Sequence, residues 1–248
     1  NIAQAKYEIV DYLKDDGTFI YSKDYPLLAE LADKDTAYEI QTAGLLEGNQ
    51  HTISSVTEDE QGTHFTFKDV QFDIPQLGIH NALNASLAIL AGETLGVSLK
   101  EAQKNLSGLE VTSMRMERVT HDSGALIVND AYNASKASMI SAVDTVGRMA
   151  HKNKILVLAD ILELGDYKQE LHEDVAHFIN EGTYHFTKIY TFGDGAKYIH
   201  DALMVKEKEH TSSIEELRDK VTAYFNEDTV ILLKGSRGMA VERVIDDI

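Results

Sequence analysis

The chain has no cysteine and no tryptophan, only two prolines in 248 residues, and 23 basic side chains against 41 acidic ones. Without cysteine there is neither a disulfide framework nor a thiol nucleophile, and the cytoplasm is the expected compartment. A formal charge of −18 makes such a chain a poor general binder of nucleic acid or of an anionic membrane surface. Any anion it handles must be met by a few placed cations and backbone N–H groups. No apolar run is long enough to span a bilayer. The opening NIAQAKYEIV lacks the basic-then-apolar pattern of a signal peptide. Two phosphate-binding patterns, G-x-x-x-x-G-K-[ST] and G-x-G-x-x-G, are also missing. The chain starts without Met in a stretch that already reads as helix, so further residues before Asn1 are expected.

What is present is an ordinary globular composition, 43% apolar, in a length that suits one large domain or two smaller ones. Residues 2–14 have helical periodicity, 17–22 read as a strand after a glycine turn, and 26–33 as helix. The stretch 50–75 alternates and is rich in β-branched and aromatic residues, which predicts two or three antiparallel strands with EDEQG as a hairpin loop. A strongly apolar helix over 80–96, ending at a glycine, and a shorter one over 98–106 close this part. From about residue 109 the texture changes. ALIVND, KILVLAD, KIYTFGD and VILLKG are short apolar runs separated by amphipathic segments near 136–149, 168–181, 195–203 and 212–225. That alternation predicts βαβ units on a parallel sheet. The fold class is therefore α/β, with one domain over 1–108 and a second over 109–248.

In parallel α/β sheets ligands bind beyond the carboxyl ends of the strands. Here those ends carry NDAYNAS, ADILELGD, FGDGA and KGSRG. Asp, Asn, Ser and Gly suit turns and caps in any case, which accounts for FGDGA. Tyr132, Lys234 and Arg237 are not needed to make a turn, so NDAYNAS and KGSRG point to function. In KGSRG, glycine-freed N–H groups and two cations suggest an anion site formed by Lys234, Ser236 and Arg237. Lys6 lies between Ile2, Ile9 and Leu13 at helical spacing. It either snorkels to water or is buried with a lowered pKa, and a neutral amine there could take up carbon dioxide as a carbamate. His80, Asn81 and Asn84 share a helix face, either as amides reading a base or ribose or as a capped helix start with a satisfied histidine. Arg115 and Arg118, three apart in SMRMER, either clamp phosphate or form local ion pairs in a solvated linker. The ten histidines show no zinc spacing; His172 and His177 read as surface or packing residues.

IAQAKYEI, GIHNALNASLAI, NDAYNASKASM, LADILELGD and LLKGSRGM, in this order, resemble the Mur ligases, and within them the branch that joins D-alanyl-D-alanine to a UDP-N-acetylmuramoyl-tripeptide. The resemblance covers essentially the whole chain. It implies the second half of a central ATPase domain, with a mixed sheet and helices, followed by a Rossmann-like C-terminal domain. The P-loop half and a uridine-nucleotide domain would lie before Asn1, leaving this part inactive alone. It implies ATP and Mg2+ as cofactors and a monomer acting on the tripeptide and D-alanyl-D-alanine. Catalysis would fall to Lys6, Asp130, Tyr132 and Asn133. By the same resemblance, Lys6 is the carbamylated magnesium-binding lysine. His80, Asn81 and Asn84 lie near the adenine, Arg115 reaches the ATP phosphates, and Asp130 meets the ribose. Tyr132, Asn133, Lys234, Ser236 and Arg237 face the substrate. Two positions depart from the family pattern: Lys136 stands where a proline is usual, and Ala159 where a glycine is. The alternatives are another Mur ligase, a folylpolyglutamate synthase-like ligase, or a non-catalytic nucleotide-binding module.

Overall fold

The computed structural model describes residues 2–34, 38–59, 61–109 and 113–245, and the chain divides into two compact units, Asn1–Glu110 and Val111–Ile248. The first runs α1 (Ile2–Tyr7), β1 (Thr18–Tyr21), α2 (Pro26–Ala32), β2 (Glu39–Gly44), β3 (His51–Thr52), β4 (Ser54–Asp59), β5 (Gly62–Phe67), β6 (Val70–Ile74), α3 (Ile79–Thr94) and α4 (Leu99–Ser107). β1-β2-β3 form a parallel sheet and β4-β5-β6 an antiparallel meander.

The meander exists because β5 and β6 alternate. Phe65, Phe67, Phe72 and Ile74 turn to one face and pack on Ala82, Ile89 and Leu90 of α3. Phe65 and Phe72 are cross-strand partners with stacked rings, centroids 5.5 Å apart. The hairpin is tighter than the predicted EDEQG loop. Glu58 and Asp59 belong to β4 and Gly62 to β5, with Asp59 paired to Gly62. Gly62 has φ +146°, and a Cβ there would lie 1.9 Å from the Ile74 carbonyl oxygen, so no other residue fits.

The stripe expected around Lys6 is not the packed one. The α-helix stops at Tyr7 and winds on as a 3-10 helix over Glu8–Tyr12. Tighter winding rotates the following residues about the axis. Val10 becomes the buried residue, with Tyr7 and Leu13 beside it against Phe19, Tyr21 and Ala32. Ile2 and Ile9 remain 81% and 63% exposed, and Lys6 is exposed with them.

The second unit runs β7 (Glu117–Thr120), β8 (Leu126–Asp130), α5 (Lys136–Arg148), β9 (Asn153–Ala159), α6 (Lys168–Glu181), β10 (Lys188–Phe192), α7 (Ala196–Ala202), β11 (Lys208–Thr211), α8 (Ile214–Thr222) and β12 (Thr229–Lys234). The sheet order is β11-β10-β9-β12-β8-β7, parallel throughout except for β7. β12, last in the chain, sits between β8 and β9. All six of its residues are buried, as a strand covered on both faces must be. One face packs on α8 and a final 3-10 segment, through Leu217, Val221, Val241 and Val244. Met139, Val143, Val175 and Ile199, from α5, α6 and α7, are also buried. The connection after β9 leads to α6, and the one after β12 to the segment beside α8. Where neighbouring strands diverge in this way, α/β sheets open a crevice.

A charged triad spans the meander of the first unit. His64 of β5 donates from Nδ1 to Asp73 of β6 at 2.7 Å, and its Nε2 lies 3.0 Å from Asp59 of β4. These two carboxylates raise the imidazole pKa, against a smaller opposing effect of burial. A raised folded pKa means the contribution is complete below the unfolded value, about 6.5, and disappears as pH rises through the folded value. Thermal unfolding followed between pH 6 and 8 should therefore show stability falling across that window, and His64→Gln should flatten the slope.

Candidate active site

β8 and β12 are register partners up to their last residues, Asp130 and Lys234. Parallel neighbours at one level point their side chains to the same face, and here the two meet, Nζ to Oδ2 at 2.6 Å. Lys234 is 2% exposed. Its ammonium also donates to the carbonyl oxygens of Asp130 at 3.2 Å and Asn133 at 2.7 Å. Burial pushes the Lys234 ammonium below its ordinary value, Asp130 draws it back up, and Arg115 adds a smaller downward push. The other oxygen of Asp130 accepts the Met116 N–H at 3.0 Å. Asp130 is thus held from two sides with its side chain 15% exposed.

Met116 belongs to a tight loop packed on the same turn. Met114 and Met116 have φ of +60° and +51°, a left-handed conformation that costs a side-chain-bearing residue about 1–2 kcal/mol. The loop is fastened by the Glu117 carboxylate, which accepts from the Ser113 hydroxyl and the Met114 N–H. It is also fastened by the Tyr132 N–H, which donates to the Met114 carbonyl at 3.0 Å. Arg115, between the two methionines, lays its guanidinium 4.0 Å over the Tyr132 ring. Arg115 is exposed and has no carboxylate partner among the described residues. Arg237 is exposed too, but is paired to Glu242 at 2.8 Å. Asn133 accepts the Ala134 N–H on its own side-chain oxygen.

The three polar side chains of KGSRG are placed differently. Lys234 faces inward and spends its hydrogens on the neighbouring turn. Ser236 is 5% exposed; its N–H donates to the Asp160 carbonyl at 2.9 Å and its Oγ accepts the Leu162 N–H at 2.9 Å. Lys234 thus ties the end of β12 to the turn after β8, and Ser236 ties the following loop to the segment after β9. Arg237 alone of the three reaches the surface.

Two buried residues that the sequence reading did not single out for the site support this edge. Asp160, at the end of β9, accepts the Ala196 N–H on Oδ1 at 2.7 Å. Gly193, with φ +104°, leaves room for that carboxylate, since a Cβ there would lie 2.5 Å from Oδ1. His172 accepts the Ile161 N–H on Nε2 at 3.0 Å and donates from Nδ1 to the Lys168 carbonyl. Burial lowers its pKa, consistent with a neutral packing histidine. His177 is exposed. The only sequence signal for Asp160 was its place at a strand end.

The two departures from the family pattern have local explanations. α5 starts with a reciprocal Ser135–Ser138 capping box, so Lys136 needs no proline's help and reaches Asp174 at 2.9 Å. The Ala159 methyl fills the space beside Gly235, where a Cβ would come within 2.6 Å of it.

In the first unit, His80, Asn81 and Asn84 come together on the opening turns of α3. Gly78 precedes them with φ +109°, and the His80 ring lies against it. Asn81 donates to the Leu77 carbonyl at 2.7 Å, and Asn84 to the Asn81 side-chain oxygen at 3.3 Å. His80 and Asn84 are exposed. Among the described residues no three His, Asp or Glu side chains are placed together to hold a metal ion. No helix among them is long and apolar enough to cross a membrane.

The chain also has relatives among known proteins. Residues 1–92 match the Mur ligase middle domain and residues 114–237 the Mur ligase glutamate ligase domain. The chain belongs to the Mur ligase family. It is 40% identical, over its whole length, to the UDP-N-acetylmuramoyl-tripeptide–D-alanyl-D-alanine ligase of Bacillus subtilis, of which it spans 54%. A crystal structure of MurF from Acinetobacter baumannii superposes with a TM-score of 0.88 at 22% identity, over 99% of this chain and 54% of that one. MurF from Thermotoga maritima, solved in complex with ADP, gives 0.84 at 22%, over 99% and 56%. The chain thus spans about half the length of the relatives it matches.

Removing one partner of a buried ion pair strands the other charge. Lys234→Met should therefore destabilise the second unit by about 3–5 kcal/mol, and Lys234→Met combined with Asp130→Asn should recover much of that loss. Denaturant unfolding of the single and double variants measures both.

Proposed function

We propose that this chain is part of an ATP-dependent amide ligase that joins D-alanyl-D-alanine to a UDP-N-acetylmuramoyl-tripeptide. The carrying observation is at the carboxyl end of β8. Asp130 is locked by Lys234, and Arg115, with no carboxylate partner among the described residues, is held over Tyr132 beside it. The 40% identity to a Bacillus subtilis ligase of that name supports the choice of substrates.

In this reading the tripeptide carboxylate attacks the γ-phosphate of ATP, giving an acyl phosphate and ADP. The amine of D-alanyl-D-alanine then attacks the acyl carbon, the amide forms, and phosphate leaves. This chain contributes positioning and electrostatics, which dominate phosphoryl transfer. Asp130, with its charge balanced by Lys234, accepts hydrogen bonds from a ribose. Arg115 donates to phosphate oxygens through its planar fork. Tyr132 and Asn133, both exposed, orient the reacting groups, while Asn81 and Asn84 read the adenine with His80 nearby. Arg237 lies toward the peptide. Magnesium, when bound, neutralises triphosphate charge; Lys6, open to solvent, is the lysine that a carbamate would occupy. The reading carries with it a monomer in the cytoplasm, handling small soluble substrates and not nucleic acid, in keeping with the −18 charge.

The test uses a protein that carries this chain behind the N-terminal half its relatives have. Phosphate release from ATP should require the tripeptide substrate and D-alanyl-D-alanine together. Release that ignores the dipeptide, or that accepts glutamate in its place, would overturn the reading. Arg115→Ala should lower kcat/KM by about 10²-fold. Lys6→Ala should abolish turnover, with partial return on adding bicarbonate or a short carboxylic acid; full activity in that variant would remove Lys6 from the mechanism.

A further inference from the structure

We infer that Tyr132 is a positioning residue for Arg115: its ring is the platform that holds the guanidinium ready for a phosphate chain. The inference rests on the phosphate role proposed above for Arg115 and adds to it how that role is prepared.

An exposed arginine in a chain of net charge −18 would ordinarily fold onto a carboxylate, as Arg148 does onto Asp144 and Arg237 onto Glu242. Arg115 does not. The nearest acid of the loop, Glu117, is occupied by the Ser113 hydroxyl and the Met114 N–H. The charge of Asp130 is balanced by Lys234, and its Oδ1 is held by the Met116 N–H. What remains for the guanidinium is the face of Tyr132, at 4.0 Å. A ring face satisfies the cation without consuming its N–H groups, because the quadrupole attracts the flat face and the donors lie in the guanidinium plane.

The backbone enforces the arrangement. Arg115 is flanked by the two left-handed methionines, and the Tyr132 N–H to Met114 carbonyl bond joins the two loops just beside the stack. Arg115 and Tyr132 are therefore brought together by main-chain bonds that survive changes to either side chain. The stack removes side-chain freedom before a ligand arrives, and that freedom would otherwise be lost on binding. With the charge of Asp130 balanced by Lys234, Arg115 is a cation of this edge with no carboxylate partner among the described residues. The ligand class it suits is a polyphosphate anion.

The experiment uses this chain, with inorganic tripolyphosphate as the probe. Two readouts are taken: the Nε–Hε NMR signal of Arg115, assigned by its loss in Arg115→Ala, and tripolyphosphate affinity by calorimetry. The wild type should show a ring-current shift of the Arg115 signal. Tyr132→Phe should keep both the shift and the affinity, since it keeps the ring. Tyr132→Leu should lose the shift and weaken binding roughly threefold to fivefold, the scale of an exposed cation–π contact. Its melting temperature should not change, because Tyr132 is 44% exposed. Wild-type affinity in Tyr132→Leu, despite loss of the ring-current shift, would overturn the positioning role alone. Equal tripolyphosphate binding by the wild type and Arg115→Ala, or none by either, would overturn the phosphate role on which it rests.

Discussion

A single buried ammonium organises the carboxyl edge of the second unit. Taking a lysine and an aspartate out of water costs several kcal/mol per ion, and their attraction offsets this only when the remaining hydrogens and lone pairs are also satisfied. Lys234 meets that condition, with a carboxylate and two carbonyls around it. Such a pair contributes little net stability relative to an apolar pair of the same shape. What it does contribute is geometry. It fixes the direction of the Asp130 carboxylate and, through the Asp130 and Asn133 carbonyls, the whole turn on which Tyr132 stands.

The same pair makes the site conditional on the complete sheet. Lys234 follows Asp130 by more than a hundred residues, and β12 takes its place between β8 and β9. Until that strand is inserted, the turn after β8 has nothing to hold it, and the left-handed Met114 and Met116 have no reason to persist. Strained backbone survives only where its surroundings over-determine it. Here the surroundings are Glu117, Asp130 and the Tyr132 N–H.

How much of this was legible in the sequence follows from burial. ALIVND, KILVLAD, KIYTF and VILLK stood out because strands covered on both faces must be apolar throughout, and all four are strands. β7 and β11, ERVT and KEHT, were unreadable because edge strands carry polar residues. β2 was missed for another reason: the residues it buries, Thr42, Ala43 and Gly44, are small. The stripe around Lys6 misled because a periodicity of 3.6 was assumed through a segment that winds as a 3-10 helix from Glu8. In the site, residue types at strand ends pointed to the right turns, but not to the direction the side chains face. KGSRG reads equally well as a cradle for a ligand and as a clasp for a neighbouring loop. The Asp160 and Leu162 partners of Ser236 show the clasp, which its residue types alone do not.

That clasp changes which cation matters. With Lys234 used internally and Arg237 paired to Glu242, Arg115 is the cation of this turn left without a carboxylate partner among the described residues. An acidic surface offsets the field of a single positive charge and repels polyphosphate out to about 10 Å at moderate salt. A lone arginine can hold such a ligand only at contact distance, where bidentate geometry counts for more than the distant field. Orientation is then worth more than additional charge, and a flat aromatic surface orients a guanidinium without adding a carboxylate that would compete for it. The acidic composition and the aromatic platform are in this sense one constraint: with so many carboxylates available to capture an arginine, this one is kept free by geometry.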